Sequence, residues 1–315
     1  MTDFRTTFSI PKTQTFGYDD SIMLCGSCFV ENIGKKLENA CFDVMINPAG
    51  ILFNPESLAT NIEDIIENKQ LTTENLIFHN GLYHSFFHHS CLSNPAADTC
   101  IQQINQTTTD AHHFLKRCNY LIITLGTAWV YHHKTRNVIV SSCHKIPQQQ
   151  FDKRLLSIHE ITHRFSATIT KLSEFNPNLK IIFTISPVRH IKDGFTENQQ
   201  SKATLILSVK QLTEQFSNCL YFPVYELFMD DMRDYRFYAS DMLHPSETAI
   251  EYVWKRFCET FFTQETQSVL NEAEKLYAAK QHRPFHATSD EYQKFQQLHQ
   301  EKARQLALRF PNAKF

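Results

Sequence analysis

Five short runs rich in apolar and β-branched residues punctuate the chain at 22–25, 42–46, 120–125, 181–185 and 220–224. Within each run the apolar residues are consecutive, not alternating, which is the pattern of a strand covered on both faces. Segments of helical period lie between several of them, the clearest at 28–38, 153–172, 197–216 and 246–262. Buried strands joined by helical crossovers make a parallel sheet with helices on both sides, an α/β fold. In the last helix Ile250, Val253, Trp254, Phe257 and Phe261 recur at three and four residues as one core-facing stripe, and Ser246 stands where an N-cap belongs.

Two segments fall outside this alternation. Residues 71–95 read as a long loop containing "FHNGLYHSFFHHS", in which Asn80 and Gly81 suit a hairpin turn. Such an excursion is either a lid or substrate-facing insertion, or a packing appendage. Beyond residue 263 the composition turns charged and Gln-rich, with one helix to about residue 279, a break at Pro284 and a second helix from a capping box spanning Thr288 to Glu291. The expected organisation is a 1–262 domain carrying the 71–95 insertion, followed by a 263–315 helical extension. That extension bears on the domain surface or on a second subunit, giving a homo-oligomer.

Acidic and basic residues nearly cancel, for a formal charge of -2, and no long Lys/Arg block is present. A nucleic-acid or anionic-membrane partner is therefore not expected. "MTDFRTTFSIPKTQTF" lacks a basic segment followed by an apolar core, and nowhere do about 18 apolar residues follow one another. A soluble cytoplasmic protein is the expectation. The 9 cysteines, an odd count without a paired CxxC, read as reduced and mostly buried thiols.

The chemistry-bearing residues lie at the two ends of the domain. Ser27, in "MLCGSCFVENIG", follows the first predicted strand and opens the first helix, at the carboxyl edge where open α/β sheets place ligands. Serine there is ordinarily a helix cap. Asp241 and His244, in "ASDMLHPS", are three residues apart just before the last core helix. A serine needs an imidazole to take its proton, and the imidazole needs a carboxylate to hold its tautomer; an Asp-x-x-His turn presents both on one loop.

"CGSCF" resembles the signature of the GSCFA family, with Val30 standing at the position of the final Ala, and "NPAGILFNPES" and "DMLHPS" extend the resemblance across residues 8–262. By resemblance that family belongs to the SGNH, or GDSL-like, hydrolases. The implied fold is a flavodoxin-like three-layer α/β/α sandwich, and the implied catalytic residues are Ser27, Asp241 and His244. The resemblance further implies an oxyanion hole from the backbone of Ser27 and Gly50. Its usual third donor, the Asn of a Gly-x-Asn block, is absent: "ITLGTAWVYHH" places Ala128 there. Thr127 is the candidate replacement, with Asn47 or Asn54 able to reach in from the neighbouring loop.

Asn54, His84, His88 and Arg189 are candidate substrate contacts, with Ser85 beside the histidines and His190 beside Arg189; a surface ion pair of Arg189 with Asp193 is the competing reading. Cys28 offers a rival nucleophile, but only one of two adjacent residues faces His244. The paired histidines at 84/88/89, 112/113 and 132/133 lack a His-Glu-x-x-His pattern, so no metal and no other cofactor is expected. The resulting expectation is a serine esterase removing an O-acyl group from a carbohydrate or other small polar molecule. The alternative is a catalytically weak binding protein with the same pocket, for which Ala128 speaks.

Overall fold

The computed structural model describes residues 5–12, 14–281 and 289–315. Regular structure begins with β1 (Ser21–Gly26), α1 (Cys28–Asn39), β2 (Asp43–Ile46) and α2 (Pro55–Ile66). The hairpin β3 (Leu76–His79) and β4 (Leu82–Ser85) follows, then α3 (Ala97–Arg117) and β5 (Tyr120–Leu125). Three further strands, β6 (Trp129–His133), β7 (Val138–Val140) and β8 (Phe151–Leu155), precede α4 (Ile158–Phe175), β9 (Lys180–Ile185), α5 (Phe195–Gln215) and β10 (Cys219–Tyr221). One short turn of helix, α6 (Val224–Glu226), leads towards α7 (Glu247–Phe261), α8 (Gln264–Gln281) and α9 (Asp290–Arg309).

The central sheet has the order β2-β1-β5-β9-β10 with every neighbouring pair parallel. This is the flavodoxin-like order, whose switch point lies between its first and third strands, here β1 and β5. The consecutive apolar runs are explained by period two. Ile22 and Leu24 join a core with α1, α7, α8 and α9, while Met23 and Cys25 join a second core with α2, α3, α4 and α5. Each fully buried Leu or Ile contributes about 1.5–3 kcal/mol, so both helical layers are held by the same strands.

The five expected strands are all present, the last ending at Tyr221 because Phe222 and Pro223 turn the chain into α6. A second sheet, antiparallel with the order β7-β6-β8, was not foreseen. It corrects the helix expected from 153: residues 151–155 pair with β6 in a buried-then-alternating pattern, and the helix begins only after Ser157, whose capping box with Glu160 fixes it. The Asn80-Gly81 turn is as expected, both residues with positive φ (49° and 78°) and β3 pairing antiparallel with β4.

The C-terminal helices bear on the domain: Val269, Ala273, Leu276 and Leu306 enter the core that contains α1 and α7. After α9, Phe310 and Phe315 stack near Tyr18, each with ring centroids 5.1 Å away, and the Lys314 N–H donates to the Cys41 carbonyl at 2.8 Å. Ser289 caps α9 by accepting the Tyr292 N–H; the expected break at Pro284 and the Thr288 end of the capping box lie outside the described residues. All 9 cysteines are free thiols, six of them buried. Among the described residues no helix is long and apolar enough to cross a membrane.

Candidate active site

Gly26 ends β1 with φ of 143°, and a Cβ there would stand 2.3 Å from the Thr124 carbonyl oxygen of β5. Glycine thus lets the two central strands close up immediately before Ser27. Ser27 takes the N-cap position of α1, yet its side chain makes no cap bond. Only 1 % of Ser27 is exposed, and its hydroxyl has no hydrogen-bond partner in the protein. A buried hydroxyl left unpaired costs about 1–3 kcal/mol, so the cap role fails to explain this serine.

The Ser27 residue lines a cavity of about 540 Å³ at the carboxyl edge of the sheet, together with Asn54, Thr127, Arg189 and His244. That is an ordinary size for a small-ligand site. His244 reaches it from the turn before α7. Asp241 Oδ1 accepts the backbone N–H groups of Leu243 and His244, each at 2.9 Å, and Met242 takes the positive φ of 59° that tightens the turn. The other carboxylate oxygen sits 2.6 Å from His244 Nδ1. Those backbone donors, with the imidazole, hold the Asp241 carboxyl down to about 2, so it is ionised at any working pH. Ser246 caps α7 as foreseen.

The expected oxyanion donors are placed differently. The Ser27 N–H donates to the Thr124 carbonyl at 3.1 Å and the Gly50 N–H to the Asn47 carbonyl at 2.8 Å; Gly50 does not line the cavity. The assignment of Gly50 as a donor is therefore corrected, because a tight turn has already taken its N–H. Thr127 lines the cavity, but its hydroxyl is bonded to Ser201 and accepts the Trp129 N–H. Two further candidate donors belong to residues that line the same cavity. The first-turn N–H of Cys28 lacks an intrahelical acceptor, as all such groups do. Asn54 uses Oδ1 to cap α2 through the Ser57 N–H at 2.8 Å, which leaves its Nδ2 without a protein acceptor among the described residues. Asn47 instead holds the Gly26 N–H, and its own Nδ2 is buried and unpaired.

His84 and His88 are also corrected as substrate contacts. Both are buried, and neither lines the cavity. His84 Nδ1 bonds the Ser93 hydroxyl at 2.6 Å, His88 bonds Ser85 at 2.9 Å, and the His84 ring stacks on His144. Burial holds His88 and His144 neutral, down to about 4. The segment after the β3–β4 hairpin packs on the second sheet through Phe86, which meets His133 and Phe151. Cys28 lines the cavity with its thiol pushed up by burial, which disfavours the thiolate a nucleophile needs.

Four contributors were not anticipated. Trp129 and Tyr131 form one wall from β6, with Lys153 of β8 4.5 Å over the Trp129 ring. Their alternation with buried Val130 was the available signal. Lys202 on α5 is 1 % exposed and donates to the carbonyls of Gly126 and Ser186 at 2.6 and 2.7 Å, binding together the loops that leave β5 and β9. Burial pulls its ammonium down to about 7.

The GSCFA family model matches residues 21–257, and the model for the C-terminal domain of GSCFA domain proteins matches 273–315. No curated protein matches the chain. Among solved structures, a family 3 carbohydrate esterase from Clostridium thermocellum is 10 % identical with a TM-score of 0.38, covering 80 % of this chain and 98 % of that one. A carbohydrate esterase family 3 protein from Talaromyces cellulolyticus is 8 % identical (TM-score 0.36; 80 % and 99 % covered). An acetyl xylan esterase from Butyrivibrio proteoclasticus is 10 % identical (TM-score 0.40; 81 % and 64 % covered).

Proposed function

The chain belongs to the GSCFA family, and on that premise we propose that it is a serine esterase that removes an O-acyl group from a carbohydrate or other small polar molecule. One observation carries the reading: a buried, unpaired Ser27 hydroxyl lines the same cavity as an imidazole already held by a carboxylate. Ser27 Oγ attacks the ester carbonyl carbon as His244 Nε2 takes the hydroxyl proton. Asp241 keeps Nδ1 protonated and balances the imidazolium. The tetrahedral oxyanion is received by the Cys28 N–H at the positive end of α1 and by Asn54 Nδ2, which stands in for the Asn missing at position 128. Collapse expels the alcohol, which takes the proton back from His244 and leaves an acyl group on Ser27. Water, deprotonated by His244, then releases the acid and restores the serine.

The Ser27 hydroxyl makes no hydrogen bond to His244 in this structure, and catalytic contacts of this kind often tighten only in a Michaelis complex. His244 is carried on an exposed turn, and the mechanism requires its side chain to close onto Ser27 when an ester fills the cavity. The test is labelling with a fluorophosphonate, located by mass spectrometry. An adduct on Ser27 that His244→Ala suppresses supports the esterase; a folded protein that never labels points instead to a binding protein that keeps the pocket, the reading Ala128 favours.

A further inference from the structure

Where this fold buries a guanidinium elsewhere, it supplies carboxylates. Arg164, with 23 % of its side chain exposed, is held by Glu56 and Glu63, and Arg256, at 12 %, faces Asp231. Arg189 breaks that habit. It lines the cavity from the loop after β9, half-buried, and its two terminal nitrogens donate to the Tyr238 hydroxyl and the Met229 sulfur, each at 3.2 Å. Both partners are neutral. They fix the plane of the guanidinium and leave its charge uncompensated. Among the described residues no carboxylate stands within ion-pair distance of it; Asp193, the carboxylate that lines the cavity, is taken by Lys153 at 2.6 Å. Lys192 lines the same wall.

Resting on the esterase reading above, we infer that the ester carries an anionic group, a carboxylate or a phosphate, which Arg189 binds. Arginine offers a planar fork of donors that matches either group, and a partly desolvated fork discriminates strongly against a neutral analogue. The electropositive wall also concentrates anions in a concave, low-dielectric site. The chemical class is therefore an acylated sugar acid or sugar phosphate, or an ester whose acyl chain ends in a carboxylate. Neutral acetylated polysaccharide would leave Arg189 unpaired.

Initial rates of the full chain on paired esters test this. On the acyl side, p-nitrophenyl hemisuccinate is compared with p-nitrophenyl acetate; on the alcohol side, an O-acetylated glucose 6-phosphate is compared with O-acetylated glucose. At least one anionic ester should be preferred about 10- to 100-fold in kcat/KM, chiefly through KM. The ratio should collapse towards one in Arg189→Gln and partly return in Arg189→Lys. The pair that shows the preference tells which side of the ester carries the charge.

A second readout needs no turnover. Trp129, one of two tryptophans, lies in the cavity, so its fluorescence in the Ser27→Ala variant is titrated with glucuronate, succinate, inorganic phosphate and, as control, glucose. Saturable binding of an anion that Arg189→Gln abolishes supports the inference. Equal rates on neutral and anionic esters, no anion binding, or a preference indifferent to Arg189→Gln each overturns it, and none of these outcomes touches labelling of Ser27. Anion binding lost with Arg189 in a protein that labels with no fluorophosphonate would instead keep this site and remove the esterase.

Discussion

The two halves of the candidate triad live in opposite surroundings. Ser27 is buried at the junction of β1 and α1, pressed against β5 by a glycine that no other residue replaces without a clash. Asp241 and His244 stand on a turn with 46 % and 48 % of their side chains exposed. Ser27 is thus placed by the core of the sheet, and His244 by three hydrogen bonds within four residues. The contrast teaches that a shared cavity can be lined by one residue locked in the core and another held only by its own turn. Stability should respond to the packing that holds Ser27, and activity to both side chains.

The sharpest way to break this contrast is to remove each half in turn. Ser27→Ala and His244→Ala should each lower kcat/KM by at least about 10⁴-fold, while thermal melting stays at or above the parent's, because Ser27→Ala deletes an unpaired buried hydroxyl and His244→Ala touches an exposed side chain. A melting point lowered by either would show that the pair is structural. Next, Asn54→Ala should reduce kcat by about 10²–10³-fold if its amide meets the oxyanion, with a loss of only about 1 kcal/mol from the α2 cap. Asn54→Ser separates the two: it retains a cap acceptor, so stability should recover and turnover should not.

Gly26→Ala tests the buried half alone. It should cost at least about 2 kcal/mol in chemical denaturation, from a strained backbone and a Cβ pressed into Thr124. A last effect is one of slope. Burial lowers Lys202 from 10.5 to about 7, so above pH 7 the unfolded chain binds more protons than the folded one. This group's contribution to stability therefore rises as pH climbs from about 7 towards 10.5, and Lys202→Met should flatten melting temperature against pH across that window.

The central sheet was legible because β1, β5 and β9 are covered on both faces and carry no charged residue in their interiors. β6 and β8 were not, since half of each faces water; "FDKRLL" runs its charges straight into α4, and charged residues beside leucines imitate a helix. The Asp241–His244 pair was legible by its motif, since the two need only local chain to meet. Gly50 could not be judged that way. Whether an N–H is free depends on a neighbouring carbonyl, here that of Asn47, which no spacing reveals. The histidines misled for the same reason: His84 and His88 look like ligands as letters, and their hydroxyl partners Ser93 and Ser85 appear only when the hairpin is folded. Arg189 was flagged by chemistry, but its lack of a carboxylate came from Asp193 choosing Lys153.

The packing of Phe310 and Phe315 on Tyr18 joins the segment before β1 to the segment after α9. On a ribosome, Tyr18 and Phe42 are made first and wait for their cover. A nascent chain that has reached residue 262 already holds every strand of the central sheet, yet that aromatic face stays open until synthesis passes residue 315. At about 5–20 residues per second the interval lasts roughly 3–10 s. Through that interval the newborn protein offers a greasy patch to any holdase chaperone nearby, and a stalled or prematurely terminated product would keep it permanently.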